Sequence, residues 1–104
     1  MNKPTTHGTL LLVDDDPLVL ESMADWLRSQ GYDVDTSDSV SDAKSCFAKK
    51  QFDIALVDIR LGDQDGFELL HHVRSVSPET AVILITGYGT VESAVEAIRS
   101  GAFD

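Results

Sequence analysis

Apolar and polar positions along this chain follow two periods that take turns. A continuous apolar run, Leu10-Leu11-Leu12-Val13, gives way to a helical stripe of Leu20, Met23 and Leu27, with Val19 and Trp26 alongside. Asp16-Pro17 supplies an N-cap and first helical residue for that stripe, and Gly31 a stop. A weaker strand follows near Tyr32 to Thr36, where Tyr32, Val34 and Thr36 alternate with Asp33 and Asp35, as suits a sheet edge. Helix two starts at Ser39 or Ser41 with Val40, Ala43 and Phe47 inward. Strand three is Ile54 to Val57. Next comes a loop from Arg60 to Asp65 that holds Gly62 and an Asp65-Gly66 turn signal. Helix three runs from about Phe67 to Ser75 with Phe67, Leu70 and Val73 inward, and Pro78 lies beyond it. Strand four is Ala81 to Ile85, followed by a loop with Gly87 and Gly89. Val91, Ala94, Val95 and Ile98 form the stripe of helix four, which Gly101 ends.

Four strand–helix units in series predict an α/β fold, a doubly wound parallel sheet in the flavodoxin-like order 2-1-3-4. Right-handed crossovers then put helix one on one face and helices two to four on the other. Strands three and four are apolar on both faces, so the face with helix one alone needs further cover, which a fifth strand–helix unit would supply. The expectation is that these 104 residues are incomplete as a folding unit. They would be poorly stable, self-associate as a homodimer through that face, or belong to a longer chain. Residues 1–8 read as a disordered lead-in and 9–104 as one domain.

Composition narrows the function more than the fold. A net charge of -10 argues against direct nucleic-acid binding, which needs Lys and Arg to neutralise phosphates. No apolar run approaches the ~20 residues of a membrane span, and the N-terminus carries no signal-peptide pattern. Cys46 is the sole cysteine and reads as a small helical residue. His71 and His72 are adjacent on a helix and point apart, so they cannot share a metal. No glycine-rich phosphate loop is present.

The candidate chemistry lies where the apolar runs end. The first leads into Asp14-Asp15-Asp16, the third into Asp58 and the fourth into Thr86. In an open parallel sheet the carboxyl ends of neighbouring strands share a crevice where ligands bind. Alone, Asp58 would read as a loop cap. Beside Asp14 and Asp15 it belongs to a like-charge cluster that calls for a counter-ion, and hard oxygen donors suit Mg²⁺. Such a site can recruit a phosphorylated donor and shield a carboxylate attacking phosphorus. Asp16 reads as an N-cap rather than a ligand. Thr86 reads as either an ordinary strand residue or a hydroxyl placed to meet a phosphoryl oxygen.

These residues resemble the receiver domain of two-component response regulators, the CheY-like superfamily. The matching segments are Leu11-Leu12-Val13-Asp14-Asp15-Asp16-Pro17, Leu56-Val57-Asp58-Ile59-Arg60-Leu61 with Asp65-Gly66, and Ile83-Leu84-Ile85-Thr86-Gly87. Gly87 to Val95 and Gly101-Ala102-Phe103-Asp104 resemble the NtrC-like branch. The resemblance implies that Asp58 accepts a phosphoryl group from a sensor histidine kinase. It implies that Asp15, Asp58 and the Arg60 backbone carbonyl bind Mg²⁺ with Asp14 in support, and that Thr86 carries the switch. Enzyme activity would be limited to self-phosphorylation and self-dephosphorylation. The protein would be cytoplasmic, with a C-terminal output region, a sigma-factor-activating ATPase and a DNA-binding part, as its partner. Gly62 stands where the family usually has proline, and the family's lysine, fifth strand with its aromatic switch residue and fifth helix would lie beyond Asp104.

Three other readings compete. A receiver-shaped interaction domain that is never phosphorylated would need no chemistry at Asp58. A Mg²⁺-dependent phosphotransfer or nuclease domain would want a second acid where Arg60 stands. A flavodoxin-like FMN binder would want a hydroxyl- or glycine-rich loop after strand one, where three aspartates would repel the phosphate.

Overall fold

The computed structural model describes residues 8–61 and 64–85, with the side chains of Arg60 and Gln64 left out. Thr86, Gly62, residues 1–7 of the lead-in and helix four lie outside the described residues. The elements are β1 (Thr9–Val13), α1 (Pro17–Ser29), β2 (Asp33–Ser37), α2 (Val40–Lys49), β3 (Ile54–Asp58), α3 (Gly66–Val76) and β4 (Ala81–Ile85). A two-residue antiparallel ladder joins Arg60–Leu61 to Gln64–Asp65 between β3 and α3. The four long strands form one parallel sheet in the order β2-β1-β3-β4, the 2-1-3-4 order expected from the alternation.

Apolar runs that are continuous in sequence divide by alternation once they become strands. Leu10, Leu12, Ile54, Leu56, Ile83 and Ile85 point to one face and pack with Leu20, Ala24 and Leu27 of α1. Leu11, Val13, Ala55 and Val57 point to the other, against Val40 and Ala43 of α2 and Leu69 and Val73 of α3. The register is in step across the centre: Val13 lies opposite Val57, and Asp58 opposite Ile85. The carboxyl ends of β1, β3 and β4 therefore finish level.

Local chemistry sets the helix ends. The Asp16 carboxylate accepts the Leu18 N–H at 3.0 Å, and Pro17 takes the first helical position. Gly31, at φ 97°, closes α1: its N–H donates to the Arg28 carbonyl and that of Tyr32 to the Leu27 carbonyl. Ser39 caps α2 by accepting the Asp42 N–H.

Three details differ from the sequence pattern. Strand β2 runs one residue later, so Ser37 is buried and Thr36 exposed; the Ser37 hydroxyl donates to the Ser39 carbonyl at the start of α2. Ala24 joins the α1 stripe, its small side chain letting the helix sit close to the sheet. In α3 the buried positions are Gly66, Leu69 and Val73, whereas Phe67 is 44% exposed and Leu70 only partly buried. Asp65 is the N-cap of that helix, accepting the Phe67 N–H at 2.8 Å, and Gly66 its first residue. The helix thus starts one residue earlier than its apolar stripe suggests, with Gly66 rather than Phe67 turned inward.

Candidate metal and phosphoryl site

The three consecutive aspartates after β1 do three different things. The Asp14 N–H donates to the Ser37 carbonyl at the end of β2, fixing where β1 stops, and its carboxylate accepts the Asp16 N–H at 3.0 Å. That turn leaves Asp15 exposed at the crest and hands Asp16 to the helix as its cap. Across the crevice, Asp58 is the last residue of β3 and half-buried, like Asp14. One carboxylate oxygen from each of Asp14, Asp15 and Asp58 lies within 4.8 Å of the others. Together with Asp16, Val19, Met23 and Ile85 they line a cleft of about 350 Å³. The sequence brings Asp14, Asp15 and Asp58 into one place as expected. It gave no sign of the apolar wall formed by Val19, Met23 and Ile85, residues that read only as core positions.

The electrostatics are those of a cation site. Burial pushes the Asp14 carboxyl above the usual carboxylate range. The Asp16 N–H opposes that rise, while the negative charges of Asp58, Asp15 and Asp16 add to it. Hard, anionic oxygens from two strand ends fit a small divalent cation that prefers oxygen ligands and keeps some of its water. The chain after Asp58 is held on two sides. The Ile59 N–H donates to the Ile85 carbonyl at 3.1 Å, the Gly66 N–H donates to the Ile59 carbonyl at 2.8 Å, and Arg60 pairs with Asp65 in the short ladder. Thr86 follows directly on Ile85 and lies outside the described residues.

Among the described residues no helix is long and apolar enough to cross a membrane. His71 is exposed and His72 partly so, on α3. Cys46 is half-buried on α2, its thiol pushed up by burial first and then by the charges of Asp42 and Asp35.

Comparison with known proteins gives one consistent result. The family model for the response regulator receiver domain matches residues 10–104. The alginate biosynthesis transcriptional regulatory protein AlgB of Pseudomonas putida is 34% identical over 98 residues, covering 94% of this chain and 22% of that protein. The regulatory protein AtoC of Escherichia coli is 38% identical over 100 residues, covering 96% of this chain and 22% of that protein. This chain thus spans about a fifth of the length of these two relatives. Among solved structures, a response regulator from Burkholderia pseudomallei, described with a phosphorylated aspartic acid, a calcium ion and citrate, superimposes with a TM-score of 0.73. It is 26% identical, covering 90% of this chain and 55% of that one.

Proposed function

This chain belongs to the response regulator receiver domain family, in the NtrC-like branch, and from that premise we propose that Asp58 is its phospho-acceptor. The observation that carries the reading is the convergence of Asp14, Asp15 and Asp58 at the level ends of β1 and β3. An Asp58 oxygen attacks the phosphorus of a phosphohistidine on a sensor kinase. The P–N bond breaks, the imidazole leaves with the electron pair and takes up a proton, and an acyl phosphate forms on Asp58.

Asp15, Asp58 and the Arg60 backbone carbonyl would hold Mg²⁺, with Asp14 in support. A bound ion there supplies charge neutralisation for the incoming phosphoryl oxygens. Asp14 and Asp15 orient that charge, and the cap made by Asp16 keeps its own carboxylate on the helix. The Thr86 hydroxyl meets the new phosphoryl group and carries the switch to the rest of the molecule. The domain covers residues 9–104, works in the cytoplasm, and passes the signal to a C-terminal output region of the kind that the longer AlgB and AtoC chains leave room for. The calcium ion and phosphorylated aspartate named for the Burkholderia pseudomallei structure support this assignment.

The test is labelling by acetyl phosphate in the presence of Mg²⁺. Wild-type protein is expected to gain one acid-stable, base-labile phosphoryl group, and Asp58→Asn none, because an amide is a poor nucleophile at phosphorus. Label persisting on Asp58→Asn would assign the acceptor elsewhere.

A further inference from the structure

We propose that Gly66 is a positioning residue for Asp58 and for the Arg60 carbonyl, an inference that rests on the phospho-acceptor reading above. A Cβ on Gly66 would stand 2.5 Å from the Asp58 carbonyl oxygen and 3.0 Å from the Ile59 Cα. Both obstacles are backbone, so neither can swing aside as a flexible side chain would. The contact belongs to the residue whose carboxylate lines the acidic cleft. The first residue of α3 therefore sits directly on the peptide that carries the acceptor.

This close approach is locked in place. The Gly66 N–H donates to the Ile59 carbonyl at 2.8 Å, and Ile59 donates in turn to Ile85 at the end of β4. Arg60 is paired with Asp65, whose carboxylate caps α3. Residues 58–60 are thus clamped between β4 and the start of α3, and the separation of the Asp58 carboxylate from the Arg60 carbonyl is set by that clamp. Glycine at 66 allows the clamp to close to hydrogen-bond distance. Any side chain there pushes the Asp58–Ile59 peptide toward β4 or lifts α3 away, and either movement changes the spacing of two oxygen donors. A cation that demands near-ideal octahedral geometry is sensitive to such a change. Its φ is not in the left-handed region, so the demand on Gly66 is space rather than backbone conformation.

The experiment compares the intact protein with Gly66→Ala and Leu69→Ala, by calorimetric titration with Mg²⁺, by labelling with acetyl phosphate at saturating Mg²⁺, and by thermal melting. Leu69 is fully buried on the same helix in the core cluster with α2 and the sheet, and its truncation adds no atom against the acceptor peptide, so it reports loss of α3 packing. Gly66→Ala is expected to weaken Mg²⁺ binding and slow labelling by about ten- to a hundredfold each, the scale of a disturbed ligand support or a misplaced reacting group. Leu69→Ala is expected to melt lower while its folded protein stays within about twofold of wild type on both readouts, because it removes packing without forcing a Cβ against the Asp58 carbonyl. Gly66→Ala matching wild type in binding and labelling, or Leu69→Ala reproducing both losses, would overturn the proposal. If Gly66→Ala does not fold, Asp65→Ala decides. It removes the cap that seats α3 without adding a Cβ, so weakened Mg²⁺ binding supports the clamp and unchanged binding overturns it. Failure of wild type itself to bind Mg²⁺ or accept phosphate would instead defeat the phospho-acceptor reading.

Discussion

Strand β3 is flanked by two aspartates, and they live in opposite surroundings. Asp53 stands just before its amino end and accepts the Thr9 N–H at 2.9 Å and the Thr9 hydroxyl at 3.2 Å, stitching β1 to β3. Nearby, the buried Thr80 hydroxyl donates to the Phe52 carbonyl and meets the Ser77 hydroxyl at 2.7 Å. At that end of the sheet, these polar groups are matched with hydrogen-bonding partners, and Asp33 of β2 pairs with Lys50. At the other end Asp58 faces Asp14 and Asp15, and carboxylate is set against carboxylate. The same residue type serves cohesion at one end and stored repulsion at the other. The difference lies in what the neighbouring strand contributes at that level. This is the physical content of the rule that open parallel sheets bind ligands at the carboxyl ends of their strands.

The contrast can be broken from either side. The largest effect is expected at the acidic end: Asp15→Asn should weaken Mg²⁺ binding by at least about tenfold by calorimetry, as loss of a ligand group does. Asp16→Asn should change it little, since asparagine caps a helix as well as aspartate does. Equal effects would show that Asp16 belongs to the site. At the other end, Thr80→Val should lower stability by about 1–3 kcal/mol in urea unfolding, because the Phe52 carbonyl and the Ser77 hydroxyl lose a buried partner. It should leave Mg²⁺ affinity unchanged.

The smallest effect sharpens the repulsion itself. The folded Asp14 carboxyl binds its proton more tightly than in the unfolded chain. Folding therefore takes up a proton in the window between the ordinary carboxylate value and the raised one. Stability falls as pH rises through that window and stays lowered at neutral pH. With divalent cations chelated, Asp14→Asn should raise the melting temperature at pH 7 by a few degrees. The gain should disappear in acid, where both carboxyls are protonated. Partial solvent exposure keeps the effect modest.

Much of this was legible in the sequence because it depends on local pattern. Continuous apolar runs gave β1, β3 and β4, the last over the same five residues, and Asp16-Pro17, Gly31 and Ser39 gave helix ends. The meeting of Asp14, Asp15 and Asp58 followed from strand order and level ends. The phase of α3 was not legible. Phe67 is larger and more apolar than its neighbours, so periodicity turns it inward, yet the helix is oriented by Gly66 packing on the Asp58 carbonyl. That contact joins residues eight apart in a tight return of the chain, and no periodic pattern encodes it. The Asp65-Gly66 pair was the available signal. It reads equally as a turn or as a helix cap followed by a residue with no side chain to spare. Likewise Ser37 is buried by a bond to the next helix's cap, which strand alternation does not anticipate.

The level strand ends have a consequence for quality control of folding. Val13 opposite Val57 brings Asp14 and Asp58 abreast. A slip of one residue between β1 and β3 would displace Asp58 by about 3.3 Å along the strand and turn its side chain to the opposite face. The hydrophobic interior tolerates that error poorly but not absolutely, since both faces of these strands are apolar. The carboxylate cluster has no such latitude, because three oxygens either converge or do not. The acidic site is therefore a vernier for the sheet: a misaligned molecule would remain compact and yet lack the three-carboxylate cluster that only the correct register assembles.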